Sequence, residues 1–151
     1  MTRPFQFRLE RVRELREHAE DQAREELASS LAIRMKGEAM LRAAADDMGA
    51  AHDARRKSST ADLSGAELLA LQAYLERAER QRESAALELD RRQAEVDARR
   101  QALAVRSQER QVLERLKDRR RDDHRRELER REGALLDEMA IVSHRRTEAA
   151  S

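Results

Sequence analysis

Apolar residues recur every three or four positions along the first third of the chain, which is the period of a helix, and no stretch alternates as a strand does. Pro4 suits the first turn of a helix, where its missing N–H needs no partner. The pattern predicts a first helix over about residues 4–57. Inside it, Gly37 and Gly49 each weaken helix formation by about 1 kcal/mol relative to Ala. The stripe includes Phe5, Leu9, Val12, Leu15, Ala19, Ala23, Leu27 and Leu31.

Helical character breaks once, at a run of turn-forming residues that predicts a loop over about residues 58–64. The three basic residues before it suit a helix C-terminus, because cations complement the helix dipole there. Ser64 and Glu67 have the spacing of a capping box, in which each side chain bonds a free backbone N–H of the other. Asp62 is an alternative cap, which would shift the start of the next helix slightly.

A sparser repeat follows the loop and predicts a second helix over about residues 65–144, with a frayed tail over 145–151. From Arg115 to Arg131 this helix is almost wholly charged, and an apolar face then resumes. Leucine, valine and one arginine fall seven residues apart in this helix, at Leu75, Arg82, Leu89, Val96 and Leu103.

One loop between two long helices predicts an antiparallel coiled-coil hairpin, an all-α single domain over residues 1–151. If the turn centres near residue 61, facing residues have numbers that sum to about 122, and Ile33 then meets Leu89. The second helix is longer, so its last ~25 residues overhang the pair. An uncovered apolar stripe on a lone helix indicates a partner. That stripe contains Leu128, Leu135, Leu136, Met139 and Val142.

The composition of the chain agrees with long helices and argues against a globular core, a disordered chain and a membrane protein. Charged residues make up 42% of the chain and aromatic residues 2%, which is too few bulky side chains for a deep globular core. With one proline and four glycines, extended helix is favoured over disorder. We expect a cytoplasmic protein without direct membrane insertion, because no signal-peptide core or apolar run of ~20 residues is present.

The sequence contains no motif that is typical of a catalytic or metal site. There is no phosphate-binding glycine loop, no cysteine, and no histidine pair at metal-ligand spacing, so we predict no enzyme activity, no cofactor and no metal. Asp122-Asp123-His124 is the one carboxylate–imidazole cluster, and a solvated helix face explains it better than a metal site.

The most distinctive charged segment is residues 115–131, with nine bases and five acids. It is either a solvated face laced by intrahelical pairs such as Asp122–Arg126 and Glu127–Arg131, or a docking site for an acidic protein surface. We do not expect nucleic acid as a partner, because the net charge of the chain is +1 and no aromatic residues interrupt the basic run for stacking.

Three segments combine apolar and charged residues in a distinctive order: Phe5-Gln6-Phe7-Arg8-Leu9-Glu10-Arg11-Val12, the Gln-x-aromatic stretch Leu71-Gln72-Ala73-Tyr74-Leu75-Glu76, and Leu113-Glu114-Arg115-Leu116-Lys117 with the arginine-rich run after it. These segments resemble the flagellar export protein FliJ family. The resemblance extends over nearly the whole chain in length and layout. It implies a component of the flagellar type III export apparatus, similar to the central stalk of rotary ATPases.

The resemblance also implies partners: the export ATPase ring, the cytoplasmic domain of the export gate, and export chaperones, at the cytoplasmic face of the inner membrane. The implied gate contacts are Met40, Ala44, Tyr74, Ala78 and Ala85. The implied ATPase contacts are Phe5, Leu9, Leu113, Leu116, Arg119, Arg120, Arg121, Arg125 and Arg126.

Two alternatives stay open at this point. In the first alternative, the chain is the central stalk of an injectisome. In the second, it is a structural coiled coil that forms homo-oligomers through its overhang. We expect a monomer on its own. Tyr74 either covers the helix seam beside Leu71 and Leu75 or serves as an exposed anchor.

Overall fold

The computed structural model describes residues 3–59 and 62–150, and over these ranges the chain is all-α. Helix α1 runs over Glu10–Ser58 and helix α2 over Gly65–Ala149, which confirms the predicted helical hairpin with a longer second helix. Neither helix, over the same ranges, contains a stretch long and apolar enough to cross a bilayer. The contacts divide the chain into two compact units, Glu20–Val105 and Met1–Ala19 with Arg106–Ser151, which are described separately. That the chain is a single domain stays a prediction.

The ends of the two helices at the loop follow the predicted chemistry. Arg55, Arg56 and Lys57 lie in the last turn of α1, where they complement its dipole. The capping box is confirmed: the Ser64 N–H donates to Glu67 Oε2 at 2.9 Å, and the Glu67 N–H donates to Ser64 Oγ at 3.3 Å. The predicted loop over 58–64 includes residues 60 and 61, which lie outside the described residues.

In the unit Glu20–Val105, α1 buries small residues against α2. Small side chains let two helices approach closely, and larger side chains of the partner then fill the remaining space. On α2 the buried residues are Leu75, Ala78 and Val96, and Val96 is fully buried. Met48 packs against the cluster that contains Leu75. The buried small residues of α1 are seven apart, at Ala23, Ser30, Gly37, Ala44 and Ala51.

Gly37 lies in the seam, the line of buried residues between α1 and α2, and the Arg92 side chain of α2 crosses over it. An added Cβ would lie 3.0 Å from Arg92 Cδ and 3.4 Å from Leu89 Cδ1. Arg92 reaches across to donate from Nη1 to the Ile33 carbonyl oxygen at 3.0 Å. Gly37 therefore lies where we expected Ile33 to face Leu89, and the Ile33 side chain is exposed instead.

The predicted register is off by about one helical turn. Arg99 Nη1 pairs with Glu26 Oε2 at 2.6 Å, and Arg34 Nη1 donates to Gln93 Oε1 at 3.3 Å, so contacting residues sum to 125 and 127 rather than about 122. Side chains of a helix lean toward its N-terminus. In an antiparallel pair, both contacting residues therefore lie C-terminal to the spot where they meet, which raises the sum. A shift of one turn keeps the same helix faces together.

In the other unit, the predicted start of helix one near residue 4 is wrong. Residues 3–7 have no regular structure, a turn follows at residues 8 and 9, and α1 begins at Glu10, whose N–H donates to the Phe7 carbonyl oxygen at 3.1 Å. A helix would place Phe5 and Phe7 about 200° apart around its axis. A non-helical segment lets both rings face α2, and both are half-buried.

The same unit contains the far end of α2, which extends past the N-terminal segment. Every residue from 134 to 150 is exposed, as the predicted overhang requires. The predicted fraying from residue 145 is wrong, because α2 continues to Ala149. Thr147 Oγ1 donates to the Ser143 and His144 carbonyl oxygens in the last turns, at 2.9 and 2.8 Å.

Candidate functional site

The candidate site lies where the N-terminal segment packs on α2, within the unit Met1–Ala19 and Arg106–Ser151. The Phe5 ring lies 5.8 Å from the His124 ring, centroid to centroid, at an interplanar angle of 47°. The Arg121 guanidinium lies 6.0 Å from the Phe5 centroid, in cation–π range. Phe5 therefore packs the N-terminal segment against one aromatic side chain of α2, His124, and one cationic side chain, Arg121.

An ion-pair network fixes the first turn of α1 beside α2. Glu10 Oε1 accepts from Arg13 Nη2 at 2.7 Å, and Glu10 Oε2 lies 2.9 Å from Lys117 Nζ. Arg13 Nη1 also reaches Glu114 Oε1 at 3.1 Å. The hydrogen bond from Arg13, followed by the one from Lys117, lowers the pKa of Glu10 to about 2. The bond from Glu10 in turn raises the pKa of Arg13.

An open groove of about 730 Å³ lies between the N-terminal segment and α2. We call it the Phe5 groove. Its lining combines aromatic and aliphatic side chains with three arginines and one histidine, and it includes no Asp or Glu. The lining residues are Arg3, Pro4, Phe5, Gln6, Phe7, Arg8, Leu9, Leu116, Arg120 and His124.

Comparison with known proteins supplies the family. A family model, "Flagellar FliJ protein", matches residues 5–149 of the 151-residue chain. The chain belongs to the FliJ family. Neither the curated proteins nor the solved structures gave a significant match. Family membership gives the chain a role related to flagellar protein export.

Of the ATPase contacts expected for this FliJ family chain, the structure brings four to the Phe5 groove: Phe5, Leu9, Leu116 and Arg120. Arg121 approaches the Phe5 ring from beside the groove. The other four lie on α2 outside the lining. Of these, Leu113 is half-buried, and Arg119, Arg125 and Arg126 are exposed. Whether these residues contact an ATPase stays a prediction.

Some arginines of the arginine-rich run form ion pairs with carboxylates of the same helix. The expected pair Glu127–Arg131 is present at 3.1 Å. Asp122 pairs with Arg125 at 3.3 Å rather than with Arg126, because the i,i+3 partner is as close on a helix as the i,i+4 partner. Arg119, Arg120 and Arg121 make no ion pair with any residue in 3–59 or 62–150. The interpretation as a solvated helix face with intrahelical pairs therefore fits Arg125 and Arg131. Arg121 instead lies over the Phe5 ring.

The expected gate contacts divide by burial. Met40 and Tyr74 are exposed, with Tyr74 at 41%, whereas Ala44 and Ala78 are buried in the seam and Ala85 is half-buried. Tyr74 lines an open groove near the loop together with residues such as Leu71 and Ala54. A partner on this face would touch the two exposed residues directly and the two buried alanines only through their neighbours.

Sequence reasoning missed several residues of the site. Arg3, Phe7, Arg8 and Lys117 are not among the expected contact residues, and the sequence suggests for His124 only a metal site that it does not favour. No group of three or more metal-ligating side chains forms among the described residues. The missed signal is Phe5-Gln6-Phe7, because aromatic residues two apart fit a non-helical segment with both rings on one side.

Proposed function

We propose that this chain is a non-enzymatic stalk or adaptor of the flagellar type III protein export apparatus. In this role it inserts into the export ATPase ring and contacts the cytoplasmic domain of the export gate and the export chaperones. It acts in the cytoplasm, peripherally associated with the inner membrane through the apparatus. The family match over residues 5–149 supports the export role.

One observation carries the proposal: the end of α2 is helical and uncovered. Leu135, Leu136 and Met139 are 59%, 67% and 66% exposed, and an isolated helix with such a face is marginal in water. The arginine triplet Arg119–Arg121 lies about four turns before this face. Together they offer apolar contacts and guanidinium groups that pair with no carboxylate in residues 3–59 and 62–150, all on one helix, as docking into a ring of subunits requires.

The gate and chaperone contacts are proposed for the unit Glu20–Val105. Leu68, Leu69 and Tyr74 are exposed apolar side chains in the first turns of α2, and Met40 is exposed on α1. Tyr often anchors protein interfaces, because its ring gives large contact area with little loss of side-chain entropy. This supports Tyr74 as the anchor rather than as a seam residue.

The proposed function is tested by reversing the charge of the triplet. The variant Arg119→Glu/Arg120→Glu/Arg121→Glu should weaken stimulation of the export ATPase by about tenfold or more, since each lost charged contact contributes about 1.5–3 kcal/mol. The matched control is Arg77→Glu/Arg80→Glu/Arg82→Glu, which makes the same charge change at three exposed positions of α2. Both variants should keep the helicity measured by circular dichroism.

Full stimulation by the triplet variant would remove the triplet from the ATPase contact. Equal loss in both variants would mean that net charge, not position, controls stimulation.

The exposed stripe also favours a second candidate, a homo-oligomeric coiled coil paired through the end of α2. Sedimentation at micromolar concentration separates the two functions. A stalk sediments mainly as a monomer, whereas self-pairing produces a dimer that Leu135→Gln/Met139→Gln dissociates.

A further inference from the structure

We propose that the Phe5 groove binds an acidic peptide segment that carries one apolar side chain between its carboxylates. This inference rests on the proposed function in expecting a protein partner at this end of α2. It adds the chemistry of the segment that the partner supplies, and it assigns parts of the site to residues that the family resemblance did not name.

The charge of the groove is the first argument. The chain has 31 acids and 32 bases, yet the groove lining has three arginines and a histidine without one carboxylate. Arg3, Arg8 and Arg120 make no ion pair with any of the residues that the structure describes. Nearby Glu10 does not neutralise them, because its carboxylate is already bound by Arg13 and Lys117. The groove therefore presents uncompensated guanidinium groups.

The apolar part of the lining is the second argument. Phe5, Phe7 and Leu116 are half-buried, so each still exposes part of its surface to the groove. Arginine binds carboxylates through two parallel hydrogen bonds, and its weak hydration suits partly dry sites. A ligand that matches both features has carboxylates spaced around one leucine-like or aromatic side chain.

Nucleic acid matches the groove less well. Binding of single strands relies on free aromatic faces for base stacking. The Phe5 ring is already approached by His124 and by the Arg121 guanidinium. Along α2, Asp118, Asp122 and Asp123 interrupt the basic surface that a phosphate backbone would follow.

The test is fluorescence anisotropy on the full chain at low salt. The probe is a fluorescein-labelled peptide of about nine residues, all glutamate except a central leucine. We expect saturable binding that Arg3→Glu/Arg120→Glu weakens about tenfold or more, because each substitution removes a charge-assisted hydrogen bond to the peptide and adds a like charge. Both residues are exposed, so the variant should keep its helicity in circular dichroism. The conservative Arg3→Lys/Arg120→Lys should retain most of the affinity.

Two controls make the result specific. Arg77→Glu/Arg80→Glu makes the same charge change on exposed residues of the other unit and should leave the affinity within about twofold. An all-glutamate peptide of the same length should bind more weakly, because it lacks the apolar side chain. The proposal would be overturned if Arg77→Glu/Arg80→Glu weakened peptide binding as much as Arg3→Glu/Arg120→Glu does. Absence of saturable binding to the wild-type chain would also overturn it. Tighter binding of an oligothymidylate of the same charge would assign the groove to nucleic acid instead.

Stimulation of the export ATPase by the wild-type chain, measured beside its peptide binding, separates this inference from the proposed function. If the wild-type chain stimulates the ATPase but does not bind the peptide, the acidic-segment inference fails and the stalk function stands. If it binds the peptide but does not stimulate, the groove chemistry stands and the stalk function fails.

Discussion

Glu10 and Lys117 form an ion pair of 2.9 Å that ties the first turn of α1 to α2. Glu10 also binds Arg13 within its own helix, so the carboxylate lies between cations from both helices. This pairing occurs three residues after Phe7, where the non-helical segment ends. It holds the first turn of α1 beside α2, immediately after the segment that contains Phe5 and Phe7.

Stability should depend on pH through this carboxylate. The pKa of Glu10 falls from 4.5 to about 2 in the folded chain. A group with a depressed folded pKa stabilises the fold above its unfolded pKa, and the contribution is lost as pH falls toward its folded pKa. We expect the melting temperature of the wild type to exceed that of Glu10→Gln at pH 7, with the difference shrinking below pH about 4.5 and vanishing near pH about 2.

Side-chain NMR gives the direct check, since the pKa of the Glu10 carboxyl should lie well below its usual value of 4.5. A Glu10 midpoint near 4.5 would show that Arg13 and Lys117 do not hold the carboxylate in solution.

Two glycines of α1 should respond differently to alanine. Gly49→Ala should raise the free energy of unfolding by about 0.5–1 kcal/mol, because nothing lies within 4 Å of the added Cβ. Gly37→Ala should gain less or become destabilising, because its Cβ would lie 3.0 Å from Arg92 Cδ and disturb the bond to the Ile33 carbonyl. Urea denaturation of both variants measures the contrast. Equal gains would mean that Arg92 does not cross over Gly37.

Two valines of α2 test the seam. Val96 is fully buried, so Val96→Ala should cost about 2 kcal/mol from lost burial and the cavity left behind. Val112→Ala is the matched control, because Val112 is 61% exposed and its loss should stay within about 0.5 kcal/mol. Thermal or urea unfolding distinguishes the two. Similar costs at both positions would argue against the observed register.

The uncovered end of α2 should tolerate polar substitution without loss of stability. Leu135→Gln/Met139→Gln should change the free energy of unfolding by no more than about 0.5 kcal/mol, because both side chains are exposed. The same variant should weaken binding to the export ATPase, which co-sedimentation with the assembled ring would measure. Unfolding at lower temperature would instead reveal that these residues are covered within the chain. Intact ring binding would remove them from the proposed contact.

Some features were predictable because they depend on neighbours in sequence. The capping box at Ser64 and Glu67 needs only a spacing of three, and the ion pair Glu127–Arg131 needs only a spacing of four. The site was predictable in part. Phe5, Leu9, Leu116 and Arg120 were all singled out, but as a surface region rather than as the lining of one groove.

The rest of the site depended on a contact between distant residues. Phe5 leaves the helical pattern because its ring packs on His124, which is far away in sequence. The spacing of Phe5 and Leu9 fits a helix that already includes Phe5, and it fits equally well a non-helical segment that leads into a helix. No local pattern states which of the two forms, since burial of both phenylalanine rings against α2 decides it.

By itself, the sequence determined two helices, the break between them, and an apolar face at the end of α2, because propensity, period and capping act over a few residues. Only the tertiary structure decided which residues on the apolar face of α1 are the most deeply buried. Glycine and alanine at Gly37, Ala44 and Ala51 are a weak apolar signal in sequence, and a close helix partner is what makes them the buried ones. Close packing selects side chains by the space that the opposite helix leaves, and that space does not exist until the chain has folded.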